Sequence, residues 1–220
     1  MIHVSDVSVF FGRTVALDRV NLELTPGLIG LFGQNASGKS TLLRILAGLL
    51  LPTSGSATWN ATPLSSGDEE LRARIGYAGH ASGLYQRLSV RENLVLFGRL
   101  YGVSSDRPDI VLEMLHLRER ASTAVGDLSA GLKRRAAVAR ALLHEPDLLL
   151  LDEPYAHLDD EASDAVSEAV KSWRAPGRTA VIATHGAKRI KGFTDVHVVL
   201  QRGRVVTQLD ATTLAGRRHE

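Results

Sequence analysis

The chain changes its hydrophobic period several times, and each change marks an element. Apolar and polar residues roughly alternate over residues 2–11 (Val4, Val7, Val9) and again over 15–24, on either side of Gly12-Arg13. A period near two turns one face of each segment to a core, so both are expected as half-buried antiparallel strands joined by a turn. Thr25-Pro26-Gly27 breaks the pattern, and residues 28–32 then form a short apolar run expected as a strand. Leu42, Leu43, Ile45 and Leu46 follow at helical spacing, with Gly48 placed to end the helix. Short strands are expected at 57–60 and 74–78.

The texture shifts near Leu84. Ser89 with Glu92 has the spacing of a capping box, and Leu94, Phe97 and Tyr101 then recur on one helical face. A second helix is expected over 108–117, which makes 84–127 an inserted helical subdomain. Ser129 is an N-cap for a helix over 130–143 whose Lys133, Arg134, Arg135 and Arg140 are expected on a solvated face. Four leucines at 148–151 are the pattern of a strand buried on both faces of a parallel sheet. A helix over 161–173, a strand over 180–183 and a hairpin 196–200/204–209 complete the expected elements. No internal repeat or low-complexity tract interrupts them, and residues 1–220 are expected as a single domain.

Length and composition narrow the classes. The 220 residues can bury one substantial core, and 44% hydrophobic with 23% charged residues is ordinary for a globular protein. No apolar run reaches the 18 or so residues that span a bilayer, and residues 1–12 lack the regions of a signal peptide, so a cytoplasmic protein is expected. There is no cysteine, and the eight histidines show no metal-ligand spacing. A formal charge of +2 is too mild to argue for nucleic acid, and no direct nucleic-acid contact is expected.

Chemistry concentrates first at Gly33, Gln34, Asn35, Ala36, Ser37, Gly38, Lys39, Ser40 and Thr41, which fit the phosphate-binding pattern G-x-x-x-x-G-K-[ST] between a strand and a helix. Backbone N–H groups of such a loop and the helix N-terminus point at one small volume and favour phosphate there. Lys39 adds a full charge for the β- and γ-phosphates of ATP, Ser40 offers a hydroxyl to Mg²⁺, and Thr41 is placed for the α-phosphate. Ala36 stands where most loops of this kind have a third glycine; if the backbone there needs positive φ a Cβ costs roughly 1–2 kcal/mol, so strain or a slightly altered loop is expected, without loss of phosphate binding. The second concentration is Asp152-Glu153, two carboxylates ending the leucine strand. Charges at such depth serve a cation or chemistry, since unpaired ones are costly, and in an α/β sheet they face the ligand crevice. The fold class expected is therefore α/β: a P-loop NTPase core of mostly parallel sheet with helices, an antiparallel β subdomain and the helical insertion.

In their order and spacing these motifs resemble the ATP-binding subunit of ABC transporters, over essentially the whole chain. The resemblance places the adenine-stacking aromatic on Phe11, with Phe10 beside it, and the signature motif on Leu128-Ser129-Ala130-Gly131-Leu132. Asp152 corresponds to the acid that holds Mg²⁺ through water, Glu153 to the catalytic base, His157-Leu158-Asp159 to the D-loop and His185 to the switch histidine. It implies that Ser129 and Gly131 cap the γ-phosphate bound to a second ATP-binding subunit, in a head-to-tail dimer with two ATP molecules at its interface. It also implies a membrane-spanning transporter subunit as partner, at the inner face of a membrane. Leu132 departs from the signature glutamine, and His80 falls where the family has a glutamine that touches Mg²⁺. Imidazole is a poor ligand for that ion, which prefers oxygen, so His80 is weak as a metal residue and fits coupling to the partner. The Gly79-His80 pair with Leu128-Ser129-Ala130-Gly131 is similar to haem-exporter ATPase subunits of cytochrome c biogenesis. Two other readings remain open from sequence: a non-transport ABC ATPase, and a nucleotide-binding regulatory module with reduced turnover.

Overall fold

The structure, a computed structural model, describes residues 1–64, 68–186, 190 and 192–210. Strands β1 (Ile2–Phe11) and β2 (Thr14–Leu24) pair antiparallel as their alternation requires. β3 (Gly27–Phe32) runs into the phosphate-binding loop, and helix α1 (Lys39–Leu46) follows it. β4 (Ser54–Trp59) joins the β1/β2 sheet, starting three residues before its expected place. Asn60 and Ala61, at φ 50 and 64, turn the chain into β5 (Thr62–Pro63), which the sequence pattern does not signal. The five-residue helix α2 (Glu69–Ala73) was equally unmarked; its N-cap Asp68 accepts from the Leu71 N–H.

After β6 (Ile75–Ala78) come helices α3 (Val90–Tyr101) and α4 (Arg107–Met114). The capping box at Ser89 and Glu92 is present in both directions. α4 stops before the expected Leu117, because His116 at φ 49 turns left-handed and the Leu117 N–H bonds back to the Leu112 carbonyl at 2.8 Å. Helix α5 (Ala130–Leu142), strand β7 (Leu148–Asp152), helix α6 (Asp160–Trp173), strand β8 (Thr179–Thr184) and the hairpin β9 (Val196–Gln201)/β10 (Arg204–Asp210) follow.

The main sheet has the order β10-β9-β3-β8-β7-β6, and from β9 through β6 its neighbours are parallel. Helices cover both of its faces, so each strand divides its apolar residues between two cores. In β7, Leu149 and Leu151 enter one core while Leu148 and Leu150 enter the other. The first core gathers residues of α3, α4, α5 and α6; the second gathers α1 and the antiparallel sheet. The strand order brings β3, β8 and β7 side by side. Phe32 pairs with Thr184 and Asp152 with Ala183, so the carboxyl ends of these three strands open at one edge.

The basic side of α5 is not the solvated face that its sequence suggests. Arg134 is only 8% exposed and donates to the Gly79 carbonyl at 2.7 Å. Arg140 donates to the carbonyls of Tyr77 (2.9 Å) and Gly83 (3.2 Å), and Arg135 to those of Leu115 and His116, both at 3.0 Å. These guanidiniums serve backbone oxygens of neighbouring segments. Burial pushes the pKa of Arg134 and of Arg140 below the usual value, with nearby carboxylates opposing it at Arg134.

His144 lies just past α5, stacked flat on Tyr101 with ring centroids 3.9 Å apart. Burial holds its pKa down at about 4, and the charges of Arg140 and Arg107 act in the same direction. Well above pH 6.5 it is neutral whether the chain is folded or not; as pH falls through 6.5 toward 4 only the unfolded chain takes up the proton, so stability is lost over that window. We expect wild type to lose about 2–3 kcal/mol more than His144→Phe between pH 7 and pH 4. Urea denaturation of both proteins at the two pH values checks this, and equal losses would contradict it.

Candidate functional site

The loop after β3 is held from outside by backbone contacts. The Gly203 N–H donates to the Ser37 carbonyl at 2.9 Å and the Ser37 N–H to the Gln34 carbonyl at 3.2 Å. Gly38, at φ 106, leaves no room for a side chain: a Cβ there would sit 2.6 Å from the Ala16 carbonyl oxygen. Ala36 has φ 60, the left-handed conformation expected from its place in the motif, and its surface is exposed.

Lys39 is 5% exposed, and its Nζ donates to the carbonyls of Gly33 (2.7 Å) and Gln34 (3.1 Å). The same Nζ is 3.8 Å from Glu153 Oε1. Ser40 is exposed and Thr41 half-buried at the start of α1, where helix N–H groups lack intrahelical partners. Glu153, at φ 49, stands one residue past β7 with its N–H bonded to the Ala183 carbonyl at 2.8 Å. Its Oε1 accepts from the His185 N–H at 2.9 Å, and its Oε2 lies 3.1 Å from Thr184 Oγ1 and 3.0 Å from His185 Nδ1. Asp152 is 3% exposed, and its Oδ1 is buried without a hydrogen-bond partner.

One open cavity of about 1500 Å³ collects most of these groups. Residues 35–41, Phe11, His80, Asp152, Glu153 and His185 all line it. Phe11 is 51% exposed, so one ring face is free for a planar base, with Val15 beside it. Gly33, Gln34, Ser129 and Gly131 do not line it; Ala130, Lys133 and Arg134 do. Gly33 and Gln34 contribute through the carbonyls that hold Lys39. Ser129 caps α5 by accepting from the Leu132 N–H at 3.3 Å, and Leu132 packs into the first core. Gly131 runs against the D-loop, where a Cβ would lie 2.7 Å from the His157 carbonyl oxygen. The sequence did not mark Lys133, Arg134 or Thr184 as residues of the site. A hydroxyl next to a histidine at a strand end was the only available signal for Thr184.

The unpartnered buried oxygen of Asp152 and the exposed hydroxyl of Ser40 line the same cavity, and oxygen donors suit Mg²⁺. Among the described residues no group of three or more His, Asp or Glu could hold a metal ion by itself. A Mg²⁺ ion held by these two residues would complete its octahedron with water or phosphate oxygens. A phosphate-binding loop, a buried acid and a second acid at the carboxyl edge of a parallel sheet define a P-loop nucleoside triphosphatase. The chain belongs to the ABC transporter family, whose sequence pattern matches residues 17–156. It is 36% identical over 213 residues to Nod factor export ATP-binding protein I of Cupriavidus metallidurans, covering 94% of this chain and 70% of that protein. The protein of the same name from Cupriavidus pinatubonensis is 37% identical over 203 residues, 90% of this chain and 62% of the relative.

Solved structures agree. A dimeric ATP-binding cassette in a post-hydrolysis state, bound to ADP and Pi, superposes with a TM-score of 0.87 at 26% identity, over 96% of this chain and 99% of that one. An ATP-binding subunit of an ABC transporter gives 0.87 at 27% identity, over 99% and 93%. The chain is thus an ATP-hydrolysing subunit that powers transport by a separate membrane-spanning protein. Among the described residues no helix is long and apolar enough to cross a membrane.

The left-handed Ala36 yields a direct test. Ala36→Gly removes a strain of roughly 1–2 kcal/mol, against an unfolded-state cost of about 0.4–1 kcal/mol. The melting midpoint without nucleotide is expected to hold or rise by up to about 6 °C; a clear fall would contradict the strain.

Proposed function

We propose that the cavity binds Mg²⁺·ATP and that Glu153 activates the attacking water. The observation that supports this most is the meeting at one edge of Lys39 from α1 with Asp152 and Glu153 from the end of β7. Phe11 stacks the adenine, and Asn35 to Thr41 hold the phosphates by backbone N–H groups and by Lys39, which exchanges its loop carbonyls for phosphate oxygens. Asp152 through water, and Ser40 directly, would hold Mg²⁺, which neutralises charge developing on the phosphoryl oxygens. His185, with an exposed ring, donates to the γ-phosphate. His80 lines the cavity but brings nitrogen where the ion wants oxygen, so its role is coupling to the membrane partner.

The chain works as a head-to-tail dimer with a second ATP-binding subunit, in which Ser129 and Gly131 of each face the γ-phosphate held by the other. Their place outside the chain's own cavity supports this, as does the dimeric cassette it resembles. Residues 84–127 act as the helical unit that moves with α5, within a nucleotide-binding domain that takes in the whole chain. The subunit is cytoplasmic, bound to the inner face of a membrane through its partner. The names of the relatives support export as the direction of transport.

Glu153→Gln is expected to retain ATP binding, lose about 100-fold or more in turnover, and accumulate as an ATP-bound dimer on gel filtration, while Lys39→Ala loses affinity for nucleotide. Wild-type turnover by a monomeric Glu153→Gln protein would overturn the assignment. For His80→Gln we expect the Mg²⁺ dependence of the isolated subunit to move by less than about twofold and stimulation by the membrane partner to change. A shift of severalfold in Mg²⁺ dependence with unaltered stimulation would put His80 in the metal site.

A further inference from the structure

Thr184 ends β8 directly beside Phe32 of the P-loop strand and is 3% exposed. Its hydroxyl makes two bonds at once. It accepts from the Gly186 N–H at 3.0 Å and lies 3.1 Å from Glu153 Oε2. An ionised carboxylate only accepts, so the single hydroxyl proton points at Glu153 while a lone pair receives the Gly186 N–H. The next N–H of the chain, that of His185, reaches the other oxygen, Glu153 Oε1. The end of β8 therefore grips both oxygens of the carboxylate.

That grip has something to hold. Glu153 follows β7 in a left-handed conformation, φ 49, which is uncommon for a residue other than glycine. The His185 ring also reaches Oε2, at 3.0 Å, but its side chain is 63% exposed. A solvated ring can leave for another acceptor; a buried hydroxyl fixed by Gly186 cannot. The two neighbours thus have separable roles, one exchangeable and one fixed.

The geometry points to Thr184 as the residue that positions Glu153 for water activation. This rests on the reading of Glu153 as the base, and it adds that aim, as well as basicity, is supplied by β8. Thr184→Val keeps the shape and removes the hydroxyl. In ATPase assays of the full chain with Mg²⁺·ATP, the valine protein is expected to lose about tenfold in kcat with KM for ATP within about twofold, and Thr184→Ser to recover most of the rate. A purely packing role predicts instead that valine outperforms serine, because valine fills the same space. Wild-type kcat in Thr184→Val, or a loss confined to KM, would overturn the inference, as would a serine protein no better than the valine one. Glu153→Gln is assayed alongside. Should it hydrolyse at the wild-type rate, the base reading itself fails; should it be inactive while Thr184→Val is normal, only the positioning role fails. If thermal melting shows the valine protein unfolded, the pair Thr184→Ala and Thr184→Ser decides by the same comparison.

Discussion

The parallel register of β3, β8 and β7 is the constraint on which the site depends. Pairing of Phe32 with Thr184 and of Asp152 with Ala183 sets the three strand ends level. Adjacent strands lie about 4.8 Å apart, so the loop of β3 and the acids of β7 are separated by roughly 10 Å with β8 between them. Lys39 spans that gap from one side and Glu153 from the other, and they meet at 3.8 Å. A slip of one residue would exchange the leucines that β7 gives to the two cores and would carry Asp152 and Glu153 away from the ends of β3 and β8.

The same edge has unequal electrostatics. Lys39 is satisfied by two carbonyls and a nearby carboxylate, and Glu153 by N–H, hydroxyl and imidazole. Asp152 keeps one buried oxygen without a partner. A buried acceptor that lacks a donor is costly unless the site exists to receive something positive. The protein thus leaves this buried acceptor where a cation bound to nucleotide would cover it.

Helix α5 connects this edge to the rest of the molecule. Arg134 and Arg140 bond carbonyls on both sides of His80, so the loop carrying His80 is tied to the helix capped by Ser129. Gly131 at the start of that helix lies against the D-loop backbone at His157. Displacement of α5 would therefore be felt in two loops that border the cavity. Charged hydrogen bonds to carbonyls are among the stronger ones in proteins, and here they join segments that share no strand or helix.

Local chemistry was readable from the sequence by itself. The phosphate-binding loop, the left-handed Ala36, the capping box at Ser89, and a leucine strand closed by two acids each depend on residues a few positions apart, whose geometry is set by short-range sterics and hydrogen bonds. Even the parallel sheet follows, because an unbroken apolar run has no solvent face to offer. The sequence misread the basic side of α5, for a helical wheel shows which residues share a face but not what lies against it. The carbonyls that bury Arg134 and Arg140 belong to residues 55 to 63 positions away. Thr184 and Glu153 are 31 residues apart, and the stack of His144 on Tyr101 likewise exists only after two distant segments have packed. Tertiary structure decided these, because whether a polar side chain is solvated, paired or aimed at a reacting group depends on the partner the fold delivers, and that partner lies far along the chain.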